Sequence, residues 1–283
     1  MLTVLEVLRR TADFFEGKGI ENAKLNAELV LAHGLGLEQR MDLYLQHDRP
    51  LTEAELEGVR PLVKRRAGRE PVQYIEGRAN FMGVDFEVDP RVLIPRPETE
   101  ELVERVGEWL EDSPPGRLVD LGTGTGVIAL SLARLFPEAE VVATDVSADA
   151  LAVARSNAGA QGLAERVDFV ESDWFSALEG MFDLVVGNPP YLTGAELKEA
   201  EPEVREHEPA GALVSGGAAG ESALVAILEG AFQVLNPGGL LALETGIAQR
   251  GILEARAKEI GYAEFLQEPD LSGRDRFFFA RVE

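Results

Sequence analysis

Cysteine is absent from the 283 residues. That removes disulfides, thiolate metal centres and cysteine nucleophiles together, and it is consistent with a reducing compartment. Histidine is almost as scarce: His33, His47 and His207 are the whole supply, scattered too widely to suggest a ligand set or a catalytic pair. No apolar run approaches the roughly 20 residues needed to cross a bilayer. Met1 to Arg10 lacks the apolar core of a signal peptide, so a cytoplasmic location with no membrane association is expected. Positive charge is also short. Lys and Arg number 27 against 50 Asp and Glu, a formal net charge of −23. Nucleic-acid binding rests on cations that neutralise phosphates, so this balance counts against a DNA or RNA partner. It equally suits a surface whose acidity only maintains solubility.

What is present is ordinary for a globular protein, 45% apolar and 27% charged, and the length suits one catalytic domain with a smaller companion. From Leu2 to about Arg69, apolar residues recur at helical spacing (Val4, Leu5, Leu8; Leu25, Leu29, Val30), with Gly17, Gly19, Gly34 and Gly36 as stops. Thr52 with Glu55 reads as a capping box for a further helix that ends near Lys64, Arg65, Arg66 and Arg69. Those cations fit either the negative end of a helix dipole or contact with a partner. The expected boundaries are a helical domain over 1–70, a β-hairpin linker over 71–96 and a catalytic domain over 97–283. Val72 to Ile75 and Val84 to Val88 are expected to be extended, with Gly77 and Gly83 as turn residues. Pro97 then opens a helix with acidic residues behind it.

Beyond Arg117, short β-rich runs alternate with helical ones, and the last two runs are joined too closely for a crossover. This predicts an α/β fold: a doubly wound, mostly parallel seven-stranded sheet with an antiparallel end. Within it, Gly122, Thr123, Gly124, Thr125 and Gly126 lead from a strand into a helix. Asp145 ends the next strand 19 residues after Gly126, placed to accept both ribose hydroxyls of an adenosine. A dinucleotide fingerprint needs its third glycine where Val127 stands, so an adenosine bearing an amino acid and a sulfonium fits better than a pyrophosphate. Asp173 is placed to accept from the adenine amine and Trp174 to cover the ring, though Trp174 also suits a core position.

The most specific signal is a buried strand running into Asn188, Pro189, Pro190 and Tyr191. Proline fixes φ and donates no N–H, so the Asn188 side-chain oxygen and the Pro189 carbonyl can each accept one hydrogen of a planar NH2 group. The nitrogen's lone-pair face is thereby aligned with an incoming methyl, and Tyr191 packs against the substrate plane. Such a site needs neither a metal nor a strong base.

Taken with Asn26 to Leu35 (NAELVLAHGL), Leu93 to Glu100 (LIPRPETE), Ser172 to Phe175 (SDWF), Glu208 to Val214 (EPAGALV) and Leu271 to Arg276 (LSGRDR), the chain resembles the release-factor glutamine methyltransferase family (HemK/PrmC). The resemblance spans nearly the whole length. It implies S-adenosyl-L-methionine as donor, S-adenosyl-L-homocysteine as product and no metal. Gly122 to Gly126, Asp145, Asp173, Trp174 and Asn188 would contact the cofactor, with Asn188, Pro189 and Tyr191 catalytic. Asn188 to Tyr191 would hold the glutamine of a Gly-Gly-Gln loop in peptide-chain release factors, which the helical domain helps to dock. A monomer with no direct nucleic-acid contact is expected. Asn-Pro-Pro-Tyr by itself is shared with enzymes that methylate adenine or guanine amines, so a nucleic-acid amino methyltransferase stays as the alternative. The six glutamates between Leu192 and Ala210 read either as a solvated loop or as a face for a basic protein.

Overall fold

The computed structural model describes all residues, 1–283. Helices α1 (Val4–Gly17), α2 (Ala23–Gly34), α3 (Asp42–Leu45), α4 (Glu53–Ala67) and α5 (Val72–Glu76) form the first of two units. Their core is Val4, Leu8, Phe15, Val30, Leu31, Leu43 and Val59. Capping boxes start α1 (Thr3 with Glu6) and α4 (Thr52 with Glu55), each satisfying two end groups of the helix reciprocally. Val72 to Ile75, expected to be extended, is helical. Pro71 stands at its N-cap and Gly77, at φ +72°, closes it, and that bracket outweighs the β preference of so short a run.

The second unit begins at Ala79, one residue into a hairpin of β1 (Arg78–Phe81) and β2 (Val84–Glu87). Its two-residue turn, Met82 and Gly83, has positive φ at both positions. Phe81 and Phe86 are fully buried in the main core, so the hairpin is part of the second unit's packing. Then follow α6 (Pro97–Trp109), β3 (Arg117–Leu121), α7 (Val127–Leu135), β4 (Glu140–Asp145), α8 (Ala148–Ala160), β5 (Val167–Glu171) and β6 (Phe182–Gly187). After β6 come α9 (Gly194–Glu199), α10 (Pro202–His207), α11 (Ser222–Val234), β7 (Leu235–Glu244), α12 (Arg250–Ile260), β8 (Glu264–Pro269) and β9 (Asp275–Arg281). No helix is long and apolar enough to cross a membrane.

The seven strands lie in the order β5-β4-β3-β6-β7-β9-β8, with the first five mutually parallel and β9 antiparallel to both β7 and β8. Two apolar layers flank the sheet: Leu118, Leu184, Val186 and α6 to α7 residues on one face, Val119, Val185 and α11 to α12 residues on the other. Strands covered on both faces read as continuous apolar runs, as LLVV-type stretches here do. The chain enters at β3, winds outward to β5 and returns to β6 beside β3. Between β3 and β6 the winding therefore reverses, and open α/β sheets bind ligands at the carboxyl ends of strands at such a point. The register pairs Leu121 with Gly187, which sets the residues that follow each strand side by side.

Residues Glu201–His207, containing α10, group with the helical unit. There Arg66, buried at the end of α4, donates to Glu203 at 2.6 Å and to the Asn26 side chain at 2.7 Å, while Arg69 pairs with Glu201 and Glu203. Arg65 pairs with Glu70. The basic cluster at the end of α4 is thus largely taken up by carboxylates of the same chain.

Candidate functional site

Gly122, Gly124 and Gly126 all have positive φ, of +70°, +54° and +83°. The glycine-rich turn can take this path because no Cβ is present to resist it. Asp145 holds the turn from the neighbouring strand: its Oδ2 accepts from the Gly124 amide at 3.0 Å and its Oδ1 from the Ser147 amide at 2.9 Å. Burial pushes the Asp145 carboxyl above its ordinary pKa, against the pull of those amides. Asn157 on α8 completes the stitching, donating to the Thr125 carbonyl at 3.0 Å and to the Glu87 carbonyl at 3.1 Å.

A cavity of about 370 Å³ opens at this edge of the sheet, within the range of roughly 300–1,000 Å³ typical of small-molecule sites. Gly122, Gly124, Asp145, Asp173, Trp174, Asn188, Pro189 and Pro190 line it. Thr123, Thr125 and Gly126 do not. Thr123 donates to Asp120 at 2.6 Å and Gly126 packs against Ala154, so these residues shape the turn from behind. Tyr191 lies next door, on a small cavity of about 40 Å³ shared with Asn188, Pro190, Leu93 and Arg96.

Trp174 reaches φ +48°, a conformation that costs a non-glycine residue energy and recurs at ligand sites. The Ser172 hydroxyl, donating to the Trp174 carbonyl at 2.9 Å, pins it, and the ring packs over Gly122. Asp173 remains exposed beside it.

Several residues within or beside the motifs quoted above carry roles that the sequence reading did not assign. Asp120 is fully buried at the end of β3, and burial lifts its carboxyl to about 7 against donations from Thr123 and Ala129. Its Oδ2 takes both of those bonds and its Oδ1 has no partner. An acidic residue closing an apolar strand just before the glycines was the available signal. An unsatisfied carboxylate oxygen beneath the turn, an acid on the next strand and an aromatic above fit a cationic amino acid joined to an adenosine.

Glu208, read only as part of the EPAGALV stretch, has a structural role as well. Its side chain accepts from the Ile94 amide at 3.1 Å and from Arg96 at 2.6 Å, which ties Leu93–Arg96 to Pro209–Ala212; both segments wall the cavities. Four of the six loop glutamates are engaged with arginines, Glu201, Glu203 and Glu208 with distant ones and Glu206 with its neighbour Arg205, and the loop is not simply solvated.

The Asn188–Tyr191 turn is held from several sides. A Cβ on Gly187 would come within 2.7 Å of the Leu121 carbonyl, and one on Gly220 within 2.2 Å of the Tyr191 carbonyl, so both glycines permit close backbone approach. Gln249 donates to the Tyr191 carbonyl at 3.0 Å. The Asn188 amide meets the Thr99 hydroxyl at 3.1 Å, and the Tyr191 hydroxyl donates to Glu244 at 3.1 Å.

Comparison with known proteins identifies the family and the fold. Residues 6–77 match the PrmC N-terminal domain and residues 102–218 the methyltransferase small domain. A release factor glutamine methyltransferase from Chlorobaculum tepidum is 48% identical over 86% of this chain and 85% of its own length. One from Geobacter sulfurreducens is 42% identical over 99% and 97%. Among solved structures, a methyltransferase from Pyrococcus furiosus aligns with a TM-score of 0.52 at 24% identity, covering 71% of this chain and 89% of that one. A Thermus thermophilus 16S rRNA N2 G1207 methyltransferase, solved with AdoMet and guanosine, aligns with a TM-score of 0.53 at 22% identity, covering 73% and 50%. At these identities the two structures speak to the fold alone.

Proposed function

The chain belongs to the release factor glutamine methyltransferase family, and we propose that it transfers the methyl group of S-adenosyl-L-methionine to the side-chain amide nitrogen of the glutamine in the Gly-Gly-Gln loop of peptide-chain release factors. The observation that carries this reading is the pairing of Leu121 with Gly187, which places the glycine turn and Asn188–Pro190 on one cavity. Bound there, the cofactor supplies an electrophilic methyl on a sulfonium that departs as the neutral thioether of S-adenosyl-L-homocysteine.

Gly122 and Gly124 give the ligand close access to backbone, Asp145 offers its remaining lone pairs to the ribose hydroxyls, and Trp174 covers the base. Asp173 is placed to accept from the adenine amine, and the Asp120 carboxyl, buried beneath the turn with one oxygen unpartnered, sets a favourable field for the ammonium group. The glutamine amide enters from the side of Pro190 and Tyr191. An amide nitrogen is a poor nucleophile because its lone pair is shared with the carbonyl. Asn188 Oδ1 and the Pro189 carbonyl each accept one of its hydrogens, which returns density to nitrogen and aims the lone pair at the methyl. With the nitrogen so held, the N–C bond would form at the expense of the cofactor's S–C bond, and one amide proton would pass to solvent. The helical unit takes part in docking the protein substrate.

The test is transfer of labelled methyl to a purified bacterial release factor, beside a variant with the Gly-Gly-Gln glutamine replaced and beside DNA and RNA. Label on the unaltered factor alone is expected. Label on nucleic acid and none on the factor would retain the cofactor site and overturn the substrate.

A further inference from the structure

Behind the Asn188–Tyr191 turn lies a buried set of polar groups whose hydrogens follow once Glu244 carries its charge: burial pushes that carboxyl above its ordinary pKa, and the Thr99 and Tyr191 hydroxyls with Arg276 pull it back toward the carboxylate. Glu244, at the end of β7, is 1% exposed, and Thr99, in the first turn of α6, is 3% exposed. Arg276 on β9 can only donate; it gives a hydrogen to the Tyr191 hydroxyl at 3.3 Å and to the Thr245 carbonyl at 3.0 Å. The Tyr191 hydroxyl, accepting there, sends its own hydrogen to Glu244 Oε1 at 3.1 Å. Glu244 Oε2 takes the single hydrogen of Thr99 at 2.7 Å. Facing Asn188 at 3.1 Å, the Thr99 oxygen then has only lone pairs to offer. Asn188 must therefore turn its NH2 toward Thr99, which leaves Oδ1 on the opposite side of the amide.

We propose that Thr99 and Glu244 are positioning residues that dictate which end of the Asn188 amide meets the substrate: the Glu244 carboxylate, by absorbing the Thr99 hydrogen, forces Asn188 to present an acceptor. This rests on the reading of Asn188 as the acceptor of an NH2 hydrogen. An asparagine amide is nearly symmetric in shape, and the reversed orientation would set an NH2 against the NH2 to be methylated. Packing alone discriminates poorly between the two; a one-way chain of hydrogen bonds does so well. The same carboxylate also fixes Tyr191, so both ends of the turn are referred to one buried anion.

Glu244→Gln keeps the shape and reverses the wiring. With Tyr191 still donating to the glutamine oxygen, the glutamine NH2 donates to Thr99, whose hydrogen then goes to Asn188 Oδ1 and turns the NH2 toward the substrate. The measurement is kcat with the release factor, with cofactor Kd and Tm as controls. Glu244→Gln is expected to lower kcat by roughly tenfold or more while cofactor Kd holds. Adding Thr99→Val cuts the reversed relay, so the double variant is expected to turn over faster than Glu244→Gln alone. In an Asn188→Ala background, Glu244→Gln is expected to cost nothing further.

Wild-type kcat in Glu244→Gln, a further loss on adding Thr99→Val, or a full additional loss in the Asn188→Ala background would each overturn the proposal. Should Glu244→Gln not fold, Thr99→Val against Thr99→Ser carries the test: lower kcat with valine and retained kcat with serine are expected, and equal values overturn it. If Asn188→Ala itself keeps wild-type turnover, the acceptor role fails and the orientation device fails with it. Loss in Asn188→Ala with none in the others removes only the device.

Discussion

Replacing Gly187 by alanine perturbs the site without touching a group that contacts ligand. The added methyl would sit 2.7 Å from the Leu121 carbonyl oxygen, about 0.7 Å inside the 3.4 Å at which ordinary contact begins. Its neighbours are the fully buried Leu121 and Val186, on two central parallel strands with no free side to yield toward. Overpacking of this kind costs about 1–3 kcal/mol, so the urea midpoint should fall with the m-value unchanged. The strands must part where the glycine turn and Asn188 leave them. Misplacement near 1 Å between reacting groups can cost roughly 10²-fold, and the expected fall in kcat/KM is therefore about ten- to a hundredfold. Denaturant unfolding, cofactor calorimetry and steady-state methyl transfer on one preparation separate the two effects. A Gly187→Ala protein with wild-type midpoint and wild-type turnover would refute the claim that chemistry depends on this close approach.

Asn188→Ala should lower kcat by roughly 10²-fold or more, the worth of one transition-state hydrogen bond in a closed site, while cofactor affinity changes little; unchanged turnover would remove Asn188 from the mechanism. Asp145→Ala should weaken cofactor binding by roughly 1.5–3 kcal/mol and also raise amide exchange at Gly124 and Ser147, whose hydrogens it accepts; calorimetry at wild-type affinity would move the ribose site elsewhere. Asp120 gives a pH signature opposite to that of a salt-bridged carboxylate. Its folded pKa lies above the unfolded one, from 3.8 to about 7, so the folded state holds an extra proton between those values and stability declines as pH rises through them. The ceiling on that decline is about 4 kcal/mol. In cofactor-free protein, Asp120→Asn should flatten the slope of unfolding free energy across this window, and an unaltered slope would assign the titration to another group.

Signals that are local in sequence could be read directly. The glycines need positive φ, Asp145 ends the strand after them, and Asn188 to Tyr191 follows an apolar strand; spacing of a few residues carries each. Val72 to Ile75 was misread because composition was weighed over the Pro71 and Gly77 bracket, which was equally local. The supporting groups were not legible in that way. Thr99 reaches Asn188 across 89 residues, Glu244 reaches Tyr191 across 53, and Glu208 reaches Ile94 across 114. Nothing in a run such as PETEE or LALET marks one carboxylate or hydroxyl as buried, since burial arises from how β7, α6 and β6 pack. For the same reason the Arg66 and Arg69 cluster looked available to a partner when Glu201 and Glu203 already occupy it.

The same division bears on what sets the substrate. The glycine turn, Asp145 and the β6 turn are products of a sheet whose winding reverses between β3 and β6, and any sheet of this order has an edge there suited to a cofactor. The walls around the Asn188 side of the cavity have another origin: Leu93–Arg96 and Pro209–Ala212 lie outside the sheet and are joined by a glutamate whose side chain is only 1% exposed. A carboxylate so deeply placed is costly unless both oxygens are engaged, and here each has a donor. Removing it would leave Arg96 without its partner and the Ile94 amide unpaired, loosening the two segments together and not the strands beneath them. The sheet edge thus supplies what many folds of this order share, and the Glu208 tie sets the shape of the wall on the Asn188 side of the cavity.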